Sequence, residues 1–219
     1  MDNKIILFKE LADTFKSHGY KLYLVGGSVR DYLLNLPLTD MDLVTDATPM
    51  EEEEFLENVD FTFAKFGSIK LHYKDVKFDI TTLRKESKYL DSRHPSNIEF
   101  TDKLEEDVSR RDLTINALYL TPELEVIDLV NGQSDINNKL LKMIGNPDIR
   151  IKEDPLRIVR IYRFSLDLGF EIDSALLDAI RHNQNLLKIL RKEKIQEEIR
   201  KCHHQKELIS VLRELGFNI

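Results

Sequence analysis

Leu22-Tyr23-Leu24-Val25-Gly26-Gly27-Ser28-Val29-Arg30-Asp31 opens the stretch that decides the fold, and Asp40-Met41-Asp42-Leu43-Val44 closes it. Leu22 to Val25 is a short run of β-formers stopped by two glycines. Ser28 to Leu36 carries Val29, Leu33, Leu34 and Leu36 near helical spacing, and Pro37 ends the helix. Asp40 to Val44 resumes an extended pattern. Gly26-Gly27-Ser28 stands just ahead of the helix, where free backbone N–H groups and the helix dipole suit a triphosphate. Asp40 and Asp42 lie two apart, so a strand aims both carboxylates to one face. Two carboxylates at one spot repel unless a cation sits between them, and Mg²⁺ is the expected one. A lone Gly-Gly pair reads as a turn, and a lone Asp-x-Asp reads as solvated or capping. Both in one strand–turn–helix–strand unit point to phosphate and metal chemistry. The stretch matches neither a Walker A loop nor Gly-x-Gly-x-x-Gly.

Outward from it, residues 3–18 form an amphipathic helix, capped by Gly19. Thr48-Pro49-Met50-Glu51 is a capping box with proline at the first helical position. Glu51 to Glu54 read as a solvated turn favoured by the helix dipole. Phe61–Phe63, Ile69–Tyr73 and Val76–Leu83 read as strands, with Lys74-Asp75 as a tight turn. Asp79 falls on the polar face of its strand and is a candidate third carboxylate. Residues 84–101 read as a long polar loop, and loops of that kind are often functional. Thr101-Asp102 opens a helix towards Ser109-Arg110-Arg111-Asp112-Leu113-Thr114-Ile115-Asn116-Ala117. The twin arginines there are either a surface pair or a phosphate clamp. Glu153 to Gly169 is a further helix, along which Asp154, Arg157, Arg160 and Arg163 recur every three residues. At about 100° per residue that stripe winds slowly round one side. It reads as a salt-bridged surface face or as a ligand pocket. Residues 173–217 are helical throughout.

The bulk properties narrow the class. The 219 residues are 42% hydrophobic with a net charge of -7, which argues against a protein that coats nucleic acid non-specifically. The charge is uneven: residues 1–60 hold 5 Lys/Arg against 13 Asp/Glu, and the remainder hold 27 against 26. A local basic face can still bind RNA. No apolar run approaches the ~20 residues of a membrane span. The N-terminal apolar run is too short for a signal peptide. One cysteine, Cys202, allows no internal disulfide and is expected as a buried thiol, consistent with the cytoplasm.

Leu24-Val25-Gly26-Gly27-Ser28-Val29-Arg30-Asp31, Asp40-Met41-Asp42-Leu43, Arg110 to Ala117, and Glu153-Asp154-Pro155-Leu156-Arg157 with Arg160 and Arg163 follow one another in an order that resembles a known family. These are the class II tRNA nucleotidyltransferases, or CCA-adding enzymes, with the related bacterial poly(A) polymerases. The likeness covers nearly the whole chain. It implies an α+β fold: a polymerase-beta-type nucleotidyltransferase head with a mixed sheet and flanking helices over residues 1–145, and an all-helical neck over 146–219. The family's body and tail domains would be absent. By the same resemblance Asp40 and Asp42 hold Mg²⁺, with Asp79 at the third carboxylate position, and these three are catalytic. Gly26, Gly27, Ser28, Arg30, Arg111, Asp112 and Asn116 belong to the nucleotide-binding set, Arg111 on the phosphates. Asp154, Arg157, Arg160 and Arg163 form the nucleotide pocket, with Asp154 and Arg157 reading the base. Tyr89, Asp91, Arg93, His94 and Pro95 resemble the flexible element of enzymes that add A as well as C. The implied activity adds C and A to the tRNA 3′ end from CTP and ATP without a nucleic-acid template. An A-adding or poly(A)-type enzyme and a non-catalytic nucleotide- or RNA-binding module are the alternatives.

Overall fold

The structure is a computed structural model that describes residues 2–89 and 95–217. The described residues fall into two compact units. The first takes in residues up to 87, 97–111 and 115–133, and the second 88–96, 112–114 and the chain from 134 onward.

The first unit begins with α1 (Asn3–Ser17), whose Asp2 side chain caps the Lys4 N–H. Its apolar face buries Ile5, Phe8, Leu11 and Phe15 and packs against β1 (Leu22–Val25). Burial of each such large side chain contributes roughly 1.5–3 kcal/mol. Next come α2 (Gly27–Leu33), β2 (Asp42–Thr45), α3 (Pro49–Glu53), β3 (Val59–Asp60), β4 (Ser68–Tyr73) and β5 (Val76–Thr82). A strand pair, β6 (Arg84–Tyr89) with β7 (Pro95–Phe100), precedes α4 (Leu104–Arg110), β8 (Tyr119–Leu120) and β9 (Val126–Ile127). The seven-stranded sheet runs β3-β4-β5-β2-β1-β8-β9. Only β2 and β5 pair in parallel; the other neighbours are antiparallel.

Register decides what each face carries. Leu24, Leu43, Ile80 and Ile69 stand opposite one another across four strands, and all are buried. The neighbouring row, one residue along and on the other face, is Asp42, Asp79 and Lys70. The alternation that builds the core thus sets the polar residues out in their own line. Lys74 and Asp75 both take positive φ, 45° and 66°, as a two-residue turn with the twist of a tight hairpin requires.

Several expectations are corrected here. The helix after Gly26 stops at Leu33, three residues short of Leu36, because Asn35 turns left-handed (φ 55°) ahead of Pro37. Phe61–Phe63 is a turn, not a strand, since a 3₁₀ turn follows at Ala64–Phe66. The polar run from 84 to 101 forms β6 and β7 instead of an irregular loop. Tyr89 and Pro95 end and begin these strands, while Asp91, Arg93 and His94 lie outside the described residues. Glu52 is not solvated: it is 0% exposed, and neither carboxyl oxygen has a hydrogen-bond partner.

The second unit holds α5 (Gly132–Asn137) from Ser134 on, β10 (Leu140–Leu141), α6 (Pro147–Glu153), α7 (Leu156–Leu168), β11 (Glu171–Ile172), α8 (Ser174–Asn183), α9 (Lys192–Lys201) and α10 (Gln205–Glu214). The sequence places a boundary at 145/146, whereas the units change over at 133/134. β10 pairs in parallel with β11, and Leu113 bridges Met143, which ties these residues to the helical half. The helix expected over Glu153 to Gly169 is α7, with Pro155 at its N-cap; a separate helix, α6, ends at Glu153 just ahead of it. Gly169 closes α7 in the left-handed conformation. Cys202 is buried, and burial raises its thiol to about 11.

Burial pushes the Glu52 carboxyl up to about 8, with the Glu51 charge adding to the shift. The folded chain therefore keeps a proton that the unfolded chain loses above about pH 4.5. Stability falls as pH rises from there towards 8. Urea unfolding should show a loss of about 4 kcal/mol between pH 5 and pH 8 from this one group, and Glu52→Gln should remove that slope.

Candidate active site

In the first unit the candidate residues gather around the turn between β1 and α2. Gly26 sits at φ +73°, a conformation that disfavours any side chain. Its amide donates to the Leu118 carbonyl at 3.3 Å. A Cβ built there would lie 3.8 Å from Arg111 Nη1, 3.8 Å from the Asn116 carbonyl and 3.9 Å from Asp42 Oδ2. Gly26 is thus the floor over which Asp42 and Arg111 meet. At Gly27, a Cβ would come within 3.4 Å of Arg30 Nη2, so the Arg30 side chain folds back across it.

Ser28 and Arg30 are braces. Ser28 Oγ donates to the Asp40 carbonyl at 2.9 Å and accepts from the Asp42 N–H at 3.1 Å. It pins the carboxylate segment to the start of α2. Arg30 Nη1 donates to Asn116 Oδ1 at 2.6 Å and its Nε to Asp31 Oδ1 at 2.9 Å. Asn116 is buried and oriented by this bond.

Asp42 and Asp79 are direct partners on the parallel strands β2 and β5. Asp40 lies just ahead of the strand, not within it, and is exposed. Burial raises the Asp42 carboxyl to about 6, helped by the Asp79 and Asp40 charges and opposed by Arg111 and Lys70. Asp79 is held by Lys70, whose Nζ stands 2.8 and 3.0 Å from its two oxygens. No group of three or more His, Cys, Asp or Glu forms a ready metal cage among the described residues. The donor set still fits one kind of ion. Hard carboxylate oxygens and a like-charge clash at Asp42 suit a divalent cation that shares its shell with substrate phosphates.

Arg111 is held from below by a residue that sequence reasoning missed. Asp107 is fully buried in α4 and accepts from Arg111 Nε at 3.0 Å and Nη2 at 2.8 Å, from Arg110 Nε at 2.8 Å and from the Tyr119 hydroxyl at 2.9 Å. Burial alone would raise its pKa, but Arg111 and Arg110 overcome that and bring it down to about 2. The i,i+3 and i,i+4 spacing to the twin arginines was the available signal. The twin arginines are thus neither a solvent-facing pair nor loose.

The second unit carries the arginine stripe. Arg160 donates to Asp112 Oδ2 through Nε at 2.8 Å and Nη2 at 2.5 Å. Against burial, that pair and the Leu113 N–H hold Asp112 near 2. Arg157 is buried; its Nη1 donates to the Arg150 carbonyl at 3.0 Å and lies 3.5 Å from Glu153. Arg163 pairs with the buried Glu198 at 2.9 Å and lies over the Phe164 ring at 4.2 Å. Asp154 sits in the α6–α7 break and accepts from the Leu156 N–H at 3.0 Å. The stripe is therefore an internally paired row. Glu198 lies 35 residues beyond Arg163 and gives no local signal.

The poly A polymerase head domain family matches residues 22–142, more than half of the chain and the whole of the glycine turn, carboxylate row and Arg111 segment. The chain belongs to this family. Enzymes of the family generally use divalent metal ions. The chain is 38% identical over 193 residues to the CCA-adding enzyme of Staphylococcus saprophyticus, covering 88% of this chain and 48% of that one. It is 40% identical over 186 residues to the CCA-adding enzyme of Lactobacillus helveticus, covering 84% and 46%. Its fold superposes on the crystal structure of the Bacillus stearothermophilus CCA-adding enzyme in complex with CTP with a TM-score of 0.84 at 30% identity, over 91% of this chain and 48% of that one. The α+β fold of a head with mixed sheet and a helical neck is thus the family's own. The chain spans about half the length of the curated relatives it matches. No helix among the described residues is long and apolar enough to cross a membrane.

Asp107→Asn would leave two buried guanidinium groups short of their shared anion. Chemical denaturation should show a loss of roughly 3–5 kcal/mol at neutral pH. Because the folded pKa is depressed, the stabilisation from Asp107 is present above about pH 4 and is lost as pH falls towards 2. The wild-type chain should show that acid limb, and the variant should lack it.

Proposed function

We propose that the chain carries the nucleotidyl-transfer chemistry of a CCA-adding tRNA nucleotidyltransferase, adding C and A to the tRNA 3′ end from CTP and ATP. The observation that carries the reading is the facing pair Asp42–Asp79 with Gly26 and Arg111 beside it. The family membership and the names of the relatives support it. The substrates are those of the cytoplasm.

Asp40, Asp42 and Asp79 are the residues that would hold Mg²⁺, and the bound ions supply Lewis-acid charge to the attacking hydroxyl and the leaving pyrophosphate. Gly26 and Gly27 let the triphosphate approach the backbone closely. Arg111, fixed by Asp107, offers a positive charge already oriented before the nucleotide arrives. In the reaction the tRNA 3′ oxygen forms a bond to the α-phosphorus, the bond to pyrophosphate breaks, and the hydroxyl proton is lost. No covalent enzyme intermediate is required.

Base choice falls to the second unit. C and A each present an exocyclic amino donor beside a ring-nitrogen acceptor, and U and G present a carbonyl beside an N–H. Asp154 accepts from the amino group and Arg157 donates to the ring nitrogen. Arg160 and Arg163, held by Asp112 and Glu198, keep the row in place. Side chains then stand in for a template.

The test is a transfer assay with Mg²⁺, labelled CTP, ATP or UTP, and tRNAs ending before each of the last three nucleotides. Two Cs followed by one A, with UTP refused, is the expected product. A alone would instead assign an A-adding or poly(A)-type enzyme. Asp42→Asn should lower transfer about a thousandfold with an unchanged unfolding transition. Asp154→Ala should erode discrimination against UTP by about 1–3 kcal/mol. Full discrimination in that variant would refute the base-reading role.

A further inference from the structure

Lys70 is the one residue of the row Asp42, Asp79 and Lys70 to which the sequence reading gives no role. It stands directly opposite Asp79 on β4, and Asp79 stands directly opposite Asp42 on β2. Its Nζ engages both oxygens of Asp79, at 2.8 and 3.0 Å, while the two side chains are 47% and 52% exposed. The β4–β5 pair does not need this contact to form, because Ile69, Leu71, Phe78 and Ile80 are all buried on the other face.

We propose that Lys70 is the resident counter-ion of the carboxylate row, occupying Asp79 before a divalent cation arrives and giving it up as the cation enters, so that it sets the affinity for metal. The inference rests on the reading of these carboxylates as the metal-holding residues. Both oxygens of Asp79 are engaged by one ammonium group, so a metal that takes the carboxylate in a bidentate grip competes with it for the same oxygens. An exposed ion pair is weak enough to be displaced. A lysine, with a compact charge on a flexible stem, can swing aside without moving the strand. While it stays near, its charge opposes the incoming dication, which weakens binding. Lys70 is a positioning residue in this scheme: it acts through Asp79 and touches no reacting atom.

The experiment is a titration of the full chain with Mn²⁺ alone, without nucleotide, reading free ion by electron paramagnetic resonance. Lys70→Met should bind Mn²⁺ about tenfold more tightly than the wild type. Lys70→Arg, which restores the charge and a two-pronged grip, should return to within about twofold of wild type. In an Asp79→Asn background, Lys70→Met should bring a much smaller gain, from the lost charge alone. Equal or weaker Mn²⁺ binding by Lys70→Met overturns the inference, as does an unchanged gain in the Asp79→Asn background. If the wild type binds Mn²⁺ and transfers nucleotide but Lys70→Met matches it, the counter-ion role alone falls. If no variant binds Mn²⁺, the reading of the carboxylates falls with it.

Discussion

Asp42 and Asp79 face each other across the only parallel ladder of the sheet. Like charges at that spacing oppose folding, and most of the first unit can be understood as the frame that holds them there. The buried row Leu24-Leu43-Ile80-Ile69 fixes the register from one side. Ser28 fixes the backbone of Asp40 and Asp42 from the other. Arg111 and Lys70 soften the repulsion, while burial first and then the Asp79 and Asp40 charges raise the Asp42 carboxyl to about 6. A protein domain that only needed to be stable would not place two acids in this relation. The arrangement is under-neutralised by its own side chains, which suits a row meant to receive a cation along with a phosphate ligand.

The arginines are prepared in a different way. Arg111 relies on the buried Asp107, Arg160 on Asp112 and Arg163 on Glu198. Each cation is oriented by an acid behind it, so little rearrangement is left for a ligand to cause. Arg157 is braced by the Arg150 carbonyl at the end of α6. Within each unit, positively charged side chains held in this manner are fixed charges, unlike the mobile charges of a surface that attracts RNA from a distance.

Local patterns told much of this in advance. Strands β1, β4 and β5 follow from alternation and from the glycine stop. The Thr48–Glu51 capping box is present in both directions. The Lys74-Asp75 turn and the polar face of Asp79 are read directly from two-residue periodicity. What local pattern missed involved partners remote in the chain. Glu52 sits in a run of four acids that reads as solvent-facing, yet its helix turn points it inward. Asp107 stands in none of the quoted motifs, and neither its complete burial nor its Tyr119 partner shows in the residues beside it. β6 is polar nearly throughout and β7 alternates only at Ile98 and Phe100, so their pairing leaves little trace in hydropathy.

The one-residue offset between the buried row and the charged row has a consequence for error. Were β4 to pair with β5 one position out of step, Lys70 would point into the space now filled by Ile69 and Leu71, and those two would face water. Such a chain would have a charge in its interior and would not survive as a folded species. A misaligned carboxylate row and a failed core are the same event. For a slip of one residue the chain therefore has no well-folded but wrongly wired form: against that error, folding acts as a proofreading step on the placement of charge.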